Sequence, residues 1–334
     1  MEKWILFLFA CCLGVSCKQQ TPYYEESGTV FHTVYHIKYQ SEQLLTDKID
    51  AELQAFNLSL NPFNPNSILA KVNRNEDVEV DEWFATVFNK AMEISARSDG
   101  MFDVTIAPLI NLWGFGFERK DSVSQQMVDS LLTFVGYRKI RLENNRVVKD
   151  DPRMMLNFSA IAKGFACDVI AGLLEREGVV NYMVDIGGEV AVNGLNPNGH
   201  CWRAGINEPE DDPDGTNTRI NGIVQLCNKC GLATSGNYRN FYEKDGKRYA
   251  HTIDPRTGYP SEQAILSASI IASDCMTADA YATACMAMGP EKAVQMMESL
   301  PGGVEYYFIC STSDKLFQVK YSEGLSTMLL KIKK

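Results

Sequence analysis

Histidine and clustered positive charge are scarce in this chain. Only four histidines occur in 334 residues, at His32, His36, His200 and His251. A histidine-rich metal centre is therefore unsupported, and a Ser-His-Asp hydrolase lacks its G-x-S-x-G elbow. Also missing are G-x-G-x-x-G after a strand, G-x-x-x-x-G-K-[ST] and H-E-x-x-H. Lys and Arg number 32 against 42 Asp and Glu, a net charge of −10 with no basic cluster, which argues against a nucleic-acid binder. No apolar run reaches the roughly 20 residues that cross a hydrocarbon core. Cysteines are too sparse for a disulfide framework. Seven follow Cys17, and an odd number leaves at least one thiol free. Cys227-Asn-Lys-Cys230 has redox or zinc-knuckle spacing, but with no second such pair and no nearby His it reads as strand–turn–strand with an optional disulfide.

What is present describes a folded body. Hydrophobic content of 45% and charged content of 22% are those of globular chains. The length suits two domains or one large one, and no linker or internal repeat divides it. The N-terminus differs from the rest. Lys3 precedes an apolar run over 4–15, followed by Ser16, Cys17 and a polar stretch. The run has the length of a secretory h-region and resembles a bacterial lipobox, although Gly14 stands where Leu is usual and Cys11 after Ala10 is a second candidate. A plain signal peptide with incidental cysteines is the alternative. The lipobox reading makes residues 1–16 a signal peptide, Cys17 the acylated residue, 17–27 a polar spacer and 28–334 one domain. The protein would then be lipid-anchored in a bacterial cell envelope, facing the periplasm.

The periodicities predict a strand over 29–39, helices over 44–57, 83–98 and 122–135, and a hairpin over 139–148 turning at Asn144-Asn145. A helix over 163–176 is followed by strands over 182–192 and 202–206. Residues 207–217 form an acidic loop, and strands are expected near 222–226, 248–253 and 264–271. The clearest helix spans 276–288 and ends at Gly289, with Pro290 in the first turn of the next. Strands and helices mix without regular βαβ alternation, so the fold class is α+β.

Three polar segments carry chemistry. Asp279-Ala-Tyr-Ala-Thr283 puts a carboxylate and a hydroxyl on one helix face, a pair of hard oxygen donors suited to Mg²⁺; a solvated Asp and a backbone-bonded Thr are the plainer reading. Tyr249-Ala-His251-Thr-Ile-Asp254-Pro-Arg-Thr-Gly258 delivers a His to a turn, placed for proton transfer or merely structural. Ser159-Ala160-Ile-Ala-Lys163-Gly164 opens a helix with small residues and a cation, which suits an anion or a simple helix start. Together they suggest a phosphate-bearing ligand, a divalent ion and a base.

Six stretches in order resemble the ApbE family of flavin transferases. They are Ser98-Asp-Gly-Met-Phe-Asp103-Val-Thr105-Ile-Ala-Pro-Leu-Ile-Asn-Leu-Trp113-Gly-Phe115; Ser159-Ala-Ile-Ala-Lys-Gly164; Asp185-Ile-Gly-Gly188-Glu189; Thr234-Ser-Gly236-Asn-Tyr-Arg239; His251-Thr-Ile-Asp-Pro-Arg-Thr-Gly258; and Thr277-Ala-Asp279-Ala-Tyr-Ala-Thr283. The resemblance implies a single compact α+β body related to T-fold-like modules. It implies an exported, Mg²⁺-dependent enzyme that joins the FMN half of FAD to a Thr or Ser hydroxyl of a partner protein and releases AMP. Acceptors in the family are flavoprotein subunits of membrane redox complexes. Some relatives hydrolyse FAD to FMN and AMP instead, and a non-catalytic FAD-binding lipoprotein is a third reading.

By the same resemblance, Asp279, Thr283 and a backbone carbonyl at Ala160 (or Ala162) would hold Mg²⁺. Phe31, Phe63, the Trp113-Gly114-Phe115 turn, Asn157, Lys163 and Ile253 would line the flavin nucleotide pocket, with His251 as the base. Asn157 stands where the family has an acidic residue, Phe63 where Tyr is usual, and Phe31-His32-Thr33 where Met-Gly-Thr is common.

Overall fold

The computed structural model describes residues 21–115, 123–209, 219–236, 241–244, 247–250, 252–261, 264–312 and 317–331. The signal segment, Cys17, His251 and most of the acidic 207–217 loop lie outside the described residues. In chain order, the hairpin β1 (Tyr23–Val30) and β2 (Thr33–Gln40) leads into helices α1 (Thr46–Leu60), α2 (Ile68–Asn73), α3 (Glu82–Arg97), α4 (Ala107–Leu112) and α5 (Gln125–Leu132). The small hairpin β3 (Ile140–Glu143) and β4 (Arg146–Lys149) precedes α6 (Ala162–Arg176). Then come β5 (Tyr182–Ile186), β6 (Glu189–Asn193), β7 (Trp202–Asn207), β8 (Ile220–Leu226), β9 (Cys230–Gly236), β10 (Phe241–Lys244), β11 (Lys247–Ala250) and β12 (Ile265–Ala272). The chain ends with α7 (Cys275–Met288), α8 (Pro290–Ser299), β13 (Glu305–Ser311), β14 (Phe317–Tyr321) and β15 (Leu329–Leu330).

Eight strands form one sheet in the order β1-β2-β5-β6-β9-β12-β13-β14, with every neighbouring pair antiparallel. Helices α6 and α7 cover one face, and a three-stranded sheet, β15-β8-β7, covers the other. β13 shows how one strand serves both layers: Tyr306, Phe308 and Cys310 point into the helical core, Tyr307 and Ile309 into the core between the sheets. This is the two-residue period of a strand buried on both sides. The α+β expectation holds, as one body with antiparallel sheets.

Two strands expected to be continuous are hairpins. The 29–39 segment breaks at Phe31 and His32, whose φ values of 50° and 60° make the tight turn between β1 and β2. Such turns favour Asn and Gly, so the aromatic pair gave no punctuation signal. β1 also begins at Tyr23, inside the stretch read as spacer. The 182–192 segment breaks at Gly187-Gly188, between β5 and β6. The Cys227–Cys230 expectation is likewise corrected. Cys227 is bonded to Cys201, joining the paired ends of β7 and β8, while Cys230 is a free thiol on β9.

α7 is buried on nearly every side; of its residues only Thr283 and Met288 are partly exposed. A helix apolar all round has to lie inside a domain, and here it touches β9, β12, α6 and α3. Two glycines permit that approach. A Cβ on Gly164 would meet the Cys275 carbonyl oxygen at 2.3 Å, and a Cβ on Gly231 would meet Cys275 Cα at 2.2 Å. The start of α7 is capped twice from acidic side chains. Asp274 Oδ1 accepts from the Thr277 N–H at 2.7 Å, and Asp168 of α6 accepts from the N–H groups of Cys275 and Met276 at 2.9 and 2.8 Å. Burial pushes the Asp168 carboxyl up to about 7 against the pull of those two bonds.

Gly231→Ala should lower the unfolding free energy by about 2 kcal/mol or more, because the added methyl meets backbone that cannot yield. Gly302→Ala, whose Cβ would meet nothing within 4 Å, should shift it by less than about 0.5 kcal/mol. Urea denaturation of both variants checks the pair, and an unchanged Gly231→Ala would contradict the close helix–sheet contact.

Candidate active site

One cavity of about 750 Å³ opens where the start of α6, the middle of α7, the end of β9 and the β5–β6 turn converge. That volume falls in the range of small-molecule and cofactor sites. Its wall includes Phe31, Asn157, Ala160, Lys163, Ile253, Asp279 and Thr283. Seven residues singled out from the sequence thus share one space, although they come from four separate segments of the chain.

The chemistry centres on Asp279. Its side chain is 3% exposed, and Oδ2 accepts a hydrogen bond from the Gly164 N–H at 3.0 Å. Gly164 belongs to the first turn of α6, where unpaired N–H groups and the helix dipole favour an anion. No hydrogen bond to Oδ1 occurs among the described residues. One turn further along α7, Thr283 Oγ1 lies 3.1 Å from Ser235 Oγ of β9. If the Thr283 hydroxyl donates its proton to Ser235, its lone pairs face the cavity.

Lys163 Nζ is ion-paired with Glu189 Oε1 at 2.5 Å, and Glu189 is itself 3% exposed. Burial pushes the Glu189 and Asp279 carboxyls up, and the shared Lys163 charge pulls both back down. For Lys163, burial works against the charge, but Glu189 and Asp279 outweigh it and hold the ammonium above its usual range. Removing Lys163 would leave the buried Glu189 carboxylate without its counter-charge.

The loop before α6 is set by side-chain bonds. Asn157 Oδ1 accepts from the Ser159 N–H at 2.7 Å, and the Asn157 N–H donates to the Val104 carbonyl at 2.8 Å. Asp103, also in the cavity wall, is fully engaged: it accepts from the Thr105 N–H and hydroxyl at 2.7 and 2.6 Å and from the Tyr137 N–H at 2.7 Å. Burial pushes its carboxyl up while these bonds oppose the rise. Thr252 and Ile253 reach the cavity from a turn closed by the Ser261 N–H on the Thr252 carbonyl and the Gly258 N–H on the Asp254 carbonyl, both at 2.8 Å.

Four expected pocket residues stand elsewhere. Trp113 is buried against Tyr259, and its Nε1 donates to the Gly258 carbonyl at 2.7 Å. With Leu109, Leu112 and Val128 it forms a satellite core, against which Phe115 packs, that fastens α4 and α5 to the 252–260 turn. Gly114 is the positive-φ residue (81°) that ends this segment. Phe63 is 53% exposed and meets the edge of His32 at 5.4 Å, beside the turn that carries Phe31. None of the four lines the cavity. Conversely, Glu189, Arg203, Asn207 and Ser235 do line it and were given no role from the sequence. Glu189 and Ser235 lay inside stretches that carried the resemblance, a signal that was available; Arg203 and Asn207, on an ordinary-looking strand, offered none.

The arrangement is that of an α+β body with a polar-walled cavity among its described residues. A family model described as "ApbE family" matches residues 31–308. The curated FAD:protein FMN transferase of Vibrio cholerae is 34% identical over 310 residues, covering 90% of this chain and 91% of that protein. The protein of the same name from Haemophilus influenzae is 33% identical and covers 98% and 99%. The solved structure of the flavin transferase ApbE from Vibrio cholerae superimposes with a TM-score of 0.82 at 33% identity, over 92% of this chain and 99% of that one. The chain belongs to the ApbE family.

Trp113→Phe should keep the ring packing and strand the buried Gly258 carbonyl, at a cost of about 1–3 kcal/mol. Thermal unfolding checks the loss, and FAD affinity measured by fluorescence should change little.

Proposed function

We propose that this chain is a FAD:protein FMN transferase that moves the FMN half of FAD onto a Thr or Ser hydroxyl of a partner flavoprotein and releases AMP. The observation that carries this reading is the convergence of Asp279, Thr283, Ala160 and Lys163 on one cavity, in a chain whose family match spans nearly all of the body. In the reaction the acceptor oxygen forms a bond to the FMN phosphorus, the phosphoanhydride bond breaks, and AMP takes the electron pair.

The donor set fits Mg²⁺. A buried carboxylate with one oxygen unengaged, a hydroxyl one helical turn away and a loop carbonyl are hard oxygen ligands, and such sites leave the remaining positions to water and phosphate. Among the described residues no three His, Cys, Asp or Glu side chains form a cage for a metal, which accords with an ion shared with its substrate. Asp279, Thr283 and the Ala160 carbonyl would hold it, and when bound it would supply positive charge to the pyrophosphate oxygens.

The chain's own residues do the rest. Lys163, at the start of α6, faces the anion together with the helix N-terminus. Phe31 offers an apolar wall to a flavin or adenine ring, and the Asn157 amide serves as a polar edge. His251 is the proposed base. The two residues that follow it in sequence, Thr252 and Ile253, line the cavity. A hydroxyl is a poor nucleophile at neutral pH, and removing its proton contributes about 10²- to 10⁴-fold.

Export and lipid anchoring at Cys17 are part of the same proposal. The Cys201–Cys227 disulfide supports an oxidising compartment. No helix among the described residues is long and apolar enough to cross a membrane. The acceptors fitting this placement are flavoprotein subunits of membrane redox complexes.

Incubation with FAD, MgCl₂ and an acceptor protein, followed by intact mass, tests the transfer. A gain equal to the FMN moiety is expected; FMN and AMP without adduct would make the enzyme a pyrophosphatase, and unchanged FAD a binding protein. Asp279→Ala should abolish turnover with the fold intact. His251→Ala should cut transfer by about 10²-fold or more while FAD affinity changes far less. Cys17→Ser should move the protein from the membrane pellet to the soluble fraction, and continued pelleting would count against the anchor.

A further inference from the structure

Glu189 has a feature that an ordinary surface ion pair lacks. One carboxylate oxygen binds Lys163, while the other, Oε2, is buried with no hydrogen-bond partner among the described residues. A buried acceptor left unmade costs free energy, yet the residue is held firmly in this place. It is the first residue of β6, directly after the Gly187-Gly188 turn, where Asp185 Oδ1 accepts from the Gly188 N–H at 2.9 Å. Its backbone carbonyl accepts from Cys167 Sγ of α6 at 3.1 Å. The side chain lines the cavity.

Glu189 and Asp279 are the two carboxylates that act most strongly on Lys163. Its backbone neighbour Gly164 donates to Asp279, so the lysine stem starts beside that aspartate. The ammonium nevertheless pairs with Glu189 on the opposite wall and interacts with Asp279 only at longer range. Without Glu189, the nearest counter-charge for Lys163 would be Asp279 itself. A lysine paired there would occupy the carboxylate that a metal needs.

We propose that Glu189 is a positioning residue that holds the Lys163 ammonium away from Asp279 and so keeps that carboxylate available to a divalent cation. The proposal rests on the magnesium reading above and adds a partition of charge to it. Removing Glu189 leaves a neutral Lys163–Asp279 pair with little attraction for it.

The test uses the full-length protein in detergent, with MgCl₂ alone as the probe and thermal unfolding as the readout, because an ion that binds only the folded state raises its melting temperature. In the wild type, MgCl₂ should raise the melting temperature with a defined midpoint, and Asp279→Ala should lose the response. Glu189→Gln, which keeps the side-chain volume, should move the midpoint roughly tenfold higher. In a Lys163→Gln background, the same Glu189→Gln change should move the midpoint far less, since no ammonium remains to compete. In turnover assays Glu189→Gln should raise the Mg²⁺ requirement. A Glu189→Gln midpoint equal to wild type would overturn the proposal while leaving the metal site standing. A shift of the same size without Lys163 would overturn it too, by showing that Glu189 acts on the ion directly. A wild type indifferent to MgCl₂ would remove the metal site and this inference with it.

Discussion

The contact on which the rest depends is a buried carboxylate placed against the first turn of a helix: Asp279 of α7 accepting from Gly164 of α6. A charge in that position is tolerated only because the helix N-terminus and Lys163 compensate it. The contact also requires α7 to press against both α6 and β9, which only residues without a side chain allow at 164 and 231. Asp168 and Asp274 satisfy the N–H groups at the start of α7, so the helix enters the core with its end sealed. Packing and chemistry are therefore the same constraint seen from two sides, since the crowding that buries α7 also fixes the geometry of its functional face.

The cavity has an unusual charge balance for something that receives an anion. Four carboxylates line it, Asp103, Asp185, Glu189 and Asp279, against Lys163 and Arg203. They are not equivalent. Asp103 is absorbed into backbone bonds that pin the 133–137 turn, and Asp185 braces the β5–β6 turn. Glu189 and Asp279 are the two that act most strongly on Lys163. On the proposed function, a dinucleotide pyrophosphate entering such a space would need additional positive charge, which a divalent ion held by the oxygens of α7 and the loop before α6 would supply. Arg203 reaches the cavity from β7, so the small sheet contributes to the site as well as covering the core.

Much of this was legible in the residues. α6, α7 and the 139–148 hairpin announce themselves through period, glycine stops and an Asn-Asn turn, and the observed bounds differ from expectation by a residue or two. The β1–β2 and β5–β6 turns were missed because alternation runs straight through both. In the first, no glycine or asparagine marks the corner; in the second, the Gly-Gly pair was read as part of a longer strand. In the site, Asp279 and Thr283 could be paired from helical spacing alone. The partnership of Lys163 with Glu189 joins α6 to β6 across the cavity, a pairing between distant segments that a single sequence does not encode in any local pattern. Trp113 shows the opposite failure: a large aromatic beside a functional motif looks like a stacking platform, but its indole N–H is spent on holding a turn.

The turn at Phe31 and His32 sets a bargain between endurance and activity. Two side-chain-bearing residues sit in left-handed backbone, a conformation that Asn-Gly adopts with less strain. Phe31 also packs on Phe56 and forms part of the cavity wall. A laboratory lineage selected only for heat resistance would be expected to relax this corner toward Asn-Gly and gain robustness. In doing so it would strip an aromatic panel from the cavity wall.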